Sequence, residues 1–313
     1  MAGLNRLAMA IVAVGLGLLA GCEQTLAPDR APAPTPRPPS AERSQASYEA
    51  EAYYTRVQRA LLTNGLLRTD GGGPDVRFNA RTLSRNFLRI AFYQEYAERS
   101  GRLVAREKRS ELHRWEGPIR YRIVFGPSVE DDKVRRDRRE ITRYSARLAR
   151  LTGLGFSPVE SQARANMHIF VLNEDERRRL APTLRAIVPG ISEATIDTAI
   201  NMERDTYCLA LAMTPGARAT YTQAIILIRA EHPDLLRLSC IHEEMAQAMG
   251  LPNDSPNARP SIFNDDGEFG LLTTHDELLL KILYDRRLRA GITEAEARPI
   301  VETIAAELMG GPV

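Results

Sequence analysis

Cys240-Ile241-His242-Glu243-Glu244-Met245-Ala246-Gln247-Ala248-Met249-Gly250-Leu251-Pro252-Asn253-Asp254 is the stretch on which the fold turns. At about 100° per residue, Leu238, Ile241, Met245, Ala248 and Met249 share one side of a helix. Glu243 and Gln247 fall on the opposite side, four residues apart and so adjacent in space. Glu244 lies at the flank, and Gly250 closes the helix. The expectation is a helix with its back in a core and its front on a cleft.

The spacing resembles the zinc-protease helix H-E-x-x-H-x-x-G-x-x-H, in which one turn brings two ligands together. Started at His242, that pattern puts Ala246 at the second ligand position and Met249 at the glycine. Started at Glu243, it puts Gly250 at the turn and Asn253 at the third ligand position, which fits better. The ligand positions then hold Glu243, Gln247 and Asn253, with Asp254 beside the last, while Glu244 keeps the general-base position. His242 is left on the Met249 side as a satisfied, partly buried bystander. Zinc prefers imidazole and thiolate, so this donor set suits it poorly and no metal residues are assigned. Carboxylate and amide oxygens fit a weakly held hard cation such as calcium, magnesium or manganese better. A metal-free arrangement is also chemically sensible: Glu244 handles the proton and Gln247 donates to an oxyanion. Glu244 and Gln247 are therefore the candidate catalytic residues, with Glu243, Asn253 and Asp254 as candidate cleft residues.

Upstream, Trp115 to Phe125 alternates Ile119, Tyr121, Ile123 and Phe125, the period of a half-buried strand. Asp131 to Gly153 carries Val134, Ile141, Tyr144, Leu148 and Leu151 at helical spacing. Met167–Leu172, Tyr207–Met213 and Gln223–Arg229 read as strands, and Ser192–Met202 as a helix. The highly charged Glu174–Arg185 reads as an exposed helix or loop. Nearer the N-terminus, Ser47–Leu67 and Thr82–Tyr96 have helical spacing, broken by Gly71-Gly72-Gly73-Pro74. Downstream, Thr274 with Glu277 makes a capping box, which places His275 in an exposed first turn. A final helix starts at the Thr293/Glu296 box, with Ile300, Val301, Ile304 and Leu308 as its buried stripe.

Strand, long helix, strands and motif helix follow one another in the order of the zincin fold, and of its metzincin branch in particular. Ser261-Ile262-Phe263 stands where metzincins carry a Met-turn, with Phe263 in place of the Met. Leu272 to Tyr284 resembles the closing matrixin segment. Trp115 to Tyr284 thus looks like a zincin whose ligands have been replaced. Together with the N-terminal features below, Cys240-x-x-Glu243-Glu244-x-x-Gln247-x-x-Gly250 and Leu283-Tyr284-Asp285 also resemble a proteobacterial family, domain of unknown function 2927. That resemblance covers most of the mature chain. It implies a periplasm-facing lipoprotein and no established activity. The fold expected is α+β: a metzincin-like mixed sheet with a long helix and an active-site-like helix, preceded by N-terminal helices.

Arg6 and the apolar run Leu7–Ala20 form a signal-like segment too short for a comfortable membrane span. It ends in Leu19-Ala20-Gly21-Cys22, which resembles the bacterial lipobox, so Cys22 is the expected lipidation site. Glu23, rather than Asp, follows, which points to the outer membrane. The proline-rich residues after it make a semi-rigid spacer. The expected organisation is a signal peptide over 1–21, a tether over 22–43, a helical region over 44–112 and the zincin-like domain over 113–313. Cys208 and Cys240 are the remaining cysteines and are expected to pair in an oxidising compartment. Forty-two basic residues against 40 acidic ones leave a net charge of +2, with no basic tract interleaved with aromatics, so nucleic acid is not an expected partner. The expected partners are the membrane, through the lipid, and a peptide or another envelope component in the cleft. Binding without zinc catalysis is favoured, with a peptidase-like hydrolase as the alternative.

Overall fold

The computed structural model describes residues 42–311, except 74, 100, 101, 215 and 217. The signal segment, Cys22 and all but the last two residues of the tether lie outside the described residues.

Two helices open the fold. The Ser44 hydroxyl caps α1 (Gln45–Thr63), and the Asn79 side chain caps α2 (Ala80–Ala91). Then comes an antiparallel hairpin, β1 (Tyr93–Arg99) and β2 (Arg102–Arg109). The helix expected to run to Tyr96 therefore stops at Ala91, and the 44–112 region is not all helical. Pairing between β1 and β2 overrides a sequence whose helical spacing continues past the end of α2.

A five-stranded sheet carries the rest, in the order β4-β3-β5-β7-β6. Its parallel members are β3 (Ile119–Phe125), β4 (Phe156–Pro158), β5 (Met167–Leu172) and β7 (Gln223–Arg229). Between β3 and β4 runs α3 (Asp131–Thr152), ended by Gly153 in the left-handed conformation at φ 74°. Between β5 and β7 come α4 (Glu174–Arg178), α5 (Ala181–Ile187), α6 (Glu193–Ile200) and β6 (Cys208–Met213). β6 is antiparallel to β7 and forms one edge of the sheet. α7 (Asp234–Gln247), α8 (Thr274–Leu283) and α9 (Glu294–Leu308) complete the described elements.

Alternation along the central strands builds two cores. Met167, Ile169 and Val171 of β5 and Ala224, Ile226 and Ile228 of β7 join one cluster with Ile141 of α3 and Met245 of α7. Phe170 and Leu172 with Ile225 and Leu227 face the other way and are covered by Leu184 and Ile196. The larger core also takes in Leu83, Phe87 and Leu112, so the expected boundary at 112/113 does not divide it.

The charged Glu174–Arg185 segment is not simply an exposed face. Arg177 is only 2% exposed because its guanidinium donates to the Ala199 and Ile200 carbonyls at the end of α6 and to Glu174 at 2.7 Å. A buried arginine is tolerated where its donors are satisfied. The expected disulfide is formed between Cys208 and Cys240, with Cα atoms 5.8 Å apart. It joins the first residue of β6 to the middle of α7. Among the described residues, no helix is long and apolar enough to cross a membrane.

Candidate functional site

Neighbouring elements fix α7 along its length. Its N-cap is Pro233, which offers no side-chain acceptor, and the Gln58 amide oxygen of α1 instead accepts the Leu236 N–H at 2.9 Å. One residue on, Arg237 is 1% exposed and donates to Asp137 of α3 at 2.7 Å and to Asp234 at 2.8 Å. At mid-helix the disulfide holds Cys240, and the Tyr144 hydroxyl donates to the His242 carbonyl at 2.9 Å. Beyond the last turn, the Trp115 indole N–H donates to the Ala248 carbonyl and the Tyr284 hydroxyl to the Met249 carbonyl, each at 2.8 Å. Gly250 then turns the chain at φ 122°, in a place where a Cβ would stand 2.2 Å from the His113 carbonyl oxygen.

Held in this way, α7 presents Glu243, Glu244 and Gln247 to a cavity of about 1060 Å³. All six residues of β6 line the same cavity, so the edge strand forms another part of its wall. Gln223 contributes from the start of β7 and Tyr221 from just before it, and Ile187 to Ser192 from the end of α5 and the segment leading to α6. Asp254, Asn264, Asp265 and Asp266 come from the loops after α7. Burial raises the pKa of the Tyr221 phenol and keeps it neutral.

A buried carboxylate shapes the loop between α7 and α8. Asp276, 0% exposed, accepts from the Thr273 N–H and Ile262 N–H, both at 3.0 Å, and from the Thr273 and Ser261 hydroxyls. This pins Ser261-Ile262-Phe263 to the start of α8, with Phe263 wholly inside the core. The cap of α8 is therefore Thr273 with Asp276, not Thr274 with Glu277. Glu277 instead pairs with Arg147 at 2.8 Å. The one-residue shift also turns His275 inward. Expected in an exposed turn, it is 0% exposed, within 3.1 Å of the Asn86 amide nitrogen and edge-on to Phe78.

Four of the five residues singled out in the motif share the cavity: Glu243, Glu244, Gln247 and Asp254. Asn253 does not. Its amide donates to the Arg89 carbonyl at 3.2 Å and to the Asp254 carbonyl at 3.0 Å, facing α2 with 4% exposure. The turn through Gly250 and Pro252 thus delivers Asp254 to the cavity in place of Asn253. Among the described residues, no three His, Cys, Asp or Glu side chains are grouped to hold a metal ion.

His242 stays out of the cavity wall. Its ring stacks on Tyr144, centroids 4.1 Å apart and nearly parallel at 5°, and Nδ1 accepts the Leu272 N–H at 3.1 Å. Desolvation, with help from the Arg147 charge, lowers its pKa to about 3. The motif reading did not anticipate the edge strand, Asp205 or the Asn264-Asp265-Asp266-Gly267 rim. The rim reads in sequence as a turn, and nothing local says that it faces α7.

Carboxylates and an amide on one helix, facing the backbone of an edge strand, suit an extended polar ligand. Fold and site together define an α+β unit with a helix-walled, acid-lined cleft beside a mixed five-stranded sheet. The chain belongs to the family described as Protein of unknown function (DUF2927), which matches residues 80–303. No curated protein and no solved structure matches it.

Proposed function

We propose that this is a lipid-anchored, periplasm-facing envelope protein whose cleft binds a peptide segment or another envelope component without zinc catalysis. The observation that carries this reading is the convergence of the β6 edge with Glu243, Glu244 and Gln247 on one cavity. An extended peptide gains main-chain hydrogen bonds by adding to a sheet edge, while neighbouring walls select its side chains. The zincin-like frame rests on the order of elements, and on a motif helix whose ligand positions hold Glu243, Gln247 and Asn253. The lipobox-like Leu19-Ala20-Gly21-Cys22 supports anchoring through Cys22, with the proline-rich spacer giving the cleft reach from an outer-membrane surface.

Binding of arrayed peptides to the purified protein tests the cleft reading. Binding is expected without cleavage, and a Gln247→Ala variant is expected to bind more weakly. Peptide hydrolysis abolished by Glu244→Gln would overturn the non-catalytic reading. It would favour instead a hydrolase with Glu244 as general base, aided by Gln247 or a weakly held cation. That alternative draws on the placement of both side chains in one cavity wall. Metal content of the natively purified protein separates its two forms. Metabolic labelling with a clickable fatty acid, lost in Cys22→Ser, tests the anchor.

A further inference from the structure

Tyr221 is 6% exposed and lines the cleft, yet its hydroxyl has no hydrogen-bond partner among the described residues. The rest of the residue is fixed. Its backbone N–H donates to the Arg114 carbonyl at 3.0 Å, and its ring stacks on His113 with centroids 5.7 Å apart. A buried phenol ordinarily spends its O–H on a partner, so this one is left for something that enters the cleft. Trp115 places it. The indole lies 6.1 Å from the Tyr221 ring and donates to the Ala248 carbonyl at 2.8 Å, so Tyr221 stands at the last turn of α7, beside Gln247. The half-buried Gln247 amide lines the same cleft, and it too has no side-chain partner among the described residues. Small side chains leave room in front of them: β6 turns Ala210 and Ala212 to the α7 side, and Leu209, Leu211 and Met213 to the other.

A strand added to β6 sends every second side chain to the α7 side. What meets it there is a phenol that donates and a primary amide that both donates and accepts. A carboxamide answers both: its oxygen accepts from the Tyr221 O–H and the Gln247 N–H, and its own N–H donates to Gln247 Oε1. A carboxylate has no proton to give that oxygen, and an ammonium leaves both donors unused. The burial that keeps the Tyr221 phenol neutral also penalises either charge. We infer that this end of the cleft is a carboxamide subsite, in which Tyr221 and Gln247 take a Gln or Asn side chain of a peptide strand laid along β6. This deepens the peptide-binding reading above and rests on it.

The full protein and three fluorescently labelled synthetic peptides of equal length test the inference by anisotropy: alternating Thr-Gln, Thr-Met and Thr-Glu. Met matches Gln in length without the amide, and Glu matches it in shape without the N–H. The Thr-Gln peptide is expected to bind about tenfold tighter than either of the others, the scale of two buried hydrogen bonds. Tyr221→Phe removes one oxygen and keeps the ring against His113 and Trp115. It is expected to weaken Thr-Gln binding about three- to tenfold and to leave Thr-Met binding unchanged. The urea midpoint should stay where it is, because no described residue depends on that hydroxyl. Gln247→Met is expected to weaken Thr-Gln binding in the same way. A lower midpoint in Tyr221→Phe with an equal loss for all three peptides marks a merely structural tyrosine and overturns the inference. A Thr-Gln preference that is absent, or that survives both variants in full, also overturns it and leaves the peptide reading standing. Binding of none of the three overturns both.

Discussion

The imidazole of His242 lies flat on Tyr144 and uses Nδ1 to accept a backbone N–H, so a proton on that atom would break the contact. Its pKa of about 3 in the fold compares with an ordinary 6.5. The unfolded chain takes up a proton near pH 6.5 that the folded chain refuses until about pH 3. Stability from this residue is thus complete above that window and is lost as pH falls through it. Between about pH 7.5 and 5 the loss is roughly 2 kcal/mol. Urea unfolding at those two values should show a drop in the wild type that is about 2 kcal/mol larger than in His242→Gln. Glu231, whose pKa burial raises, gives the opposite slope in both proteins and cancels from the difference. Asn253 makes a second residue-scale test. Because its amide serves the Arg89 carbonyl of α2 and the backbone carbonyl of the next residue, Asn253→Ala should cost about 1 kcal/mol in urea unfolding and leave peptide affinity unchanged. A loss of affinity without a loss of stability would return Asn253 to the cleft. Neither environment is legible in the sequence, since the spacing puts Asn253 and Asp254 equally close to a ligand position. Only the direction of the turn after Gly250 separates them.

At the scale of elements, the disulfide has more than one consequence because its ends belong to two walls of one cleft. It closes a separation of 32 residues, for which chain entropy gives about 3–4 kcal/mol. The double variant Cys208→Ala, Cys240→Ala should lose stability of that order in denaturant titration. It should also bind peptides more weakly than the wild type even where both are fully folded, since β6 is no longer tied to α7. Unchanged affinity in the folded variant would mean that hydrogen bonding and packing alone set the width of the cleft. The pairing was readable from the cysteine count, whereas the residue completing the first turn of α7, Gln58, is far away in sequence and was not. The start of α8 shows the same limit. Thr273 and Thr274 each stand three residues before an acid. Asp276 became the capping partner because it could also bind Ser261 and Ile262 in the fold.

Over the whole molecule, the sheet sets a gradient of protection. β5 and β7 are central and β6 is at an edge, so hydrogen exchange should be slowest in β5 and β7. The outward amides of β6 should exchange sooner, and bound peptide should slow them selectively; protection elsewhere but not on β6 would contradict strand addition. The sequence by itself determined the long helix, the central strands, the cysteine pair and the two-sided helix from Cys240 to Gly250. Each is written in a local period or in a count that neighbours along the chain already fix. The same local rules carried α2 too far and gave no sign of the β1–β2 hairpin, because strand pairing is an agreement between two segments. Only the tertiary structure decided that β6 borders the open space in front of α7. It also brought Asp205 and the Asp265–Asp266 rim to the same cavity as Glu243, Glu244 and Gln247. The physical reason is that a cleft is what packing leaves unfilled, and its outline depends on contacts between residues distant in the chain.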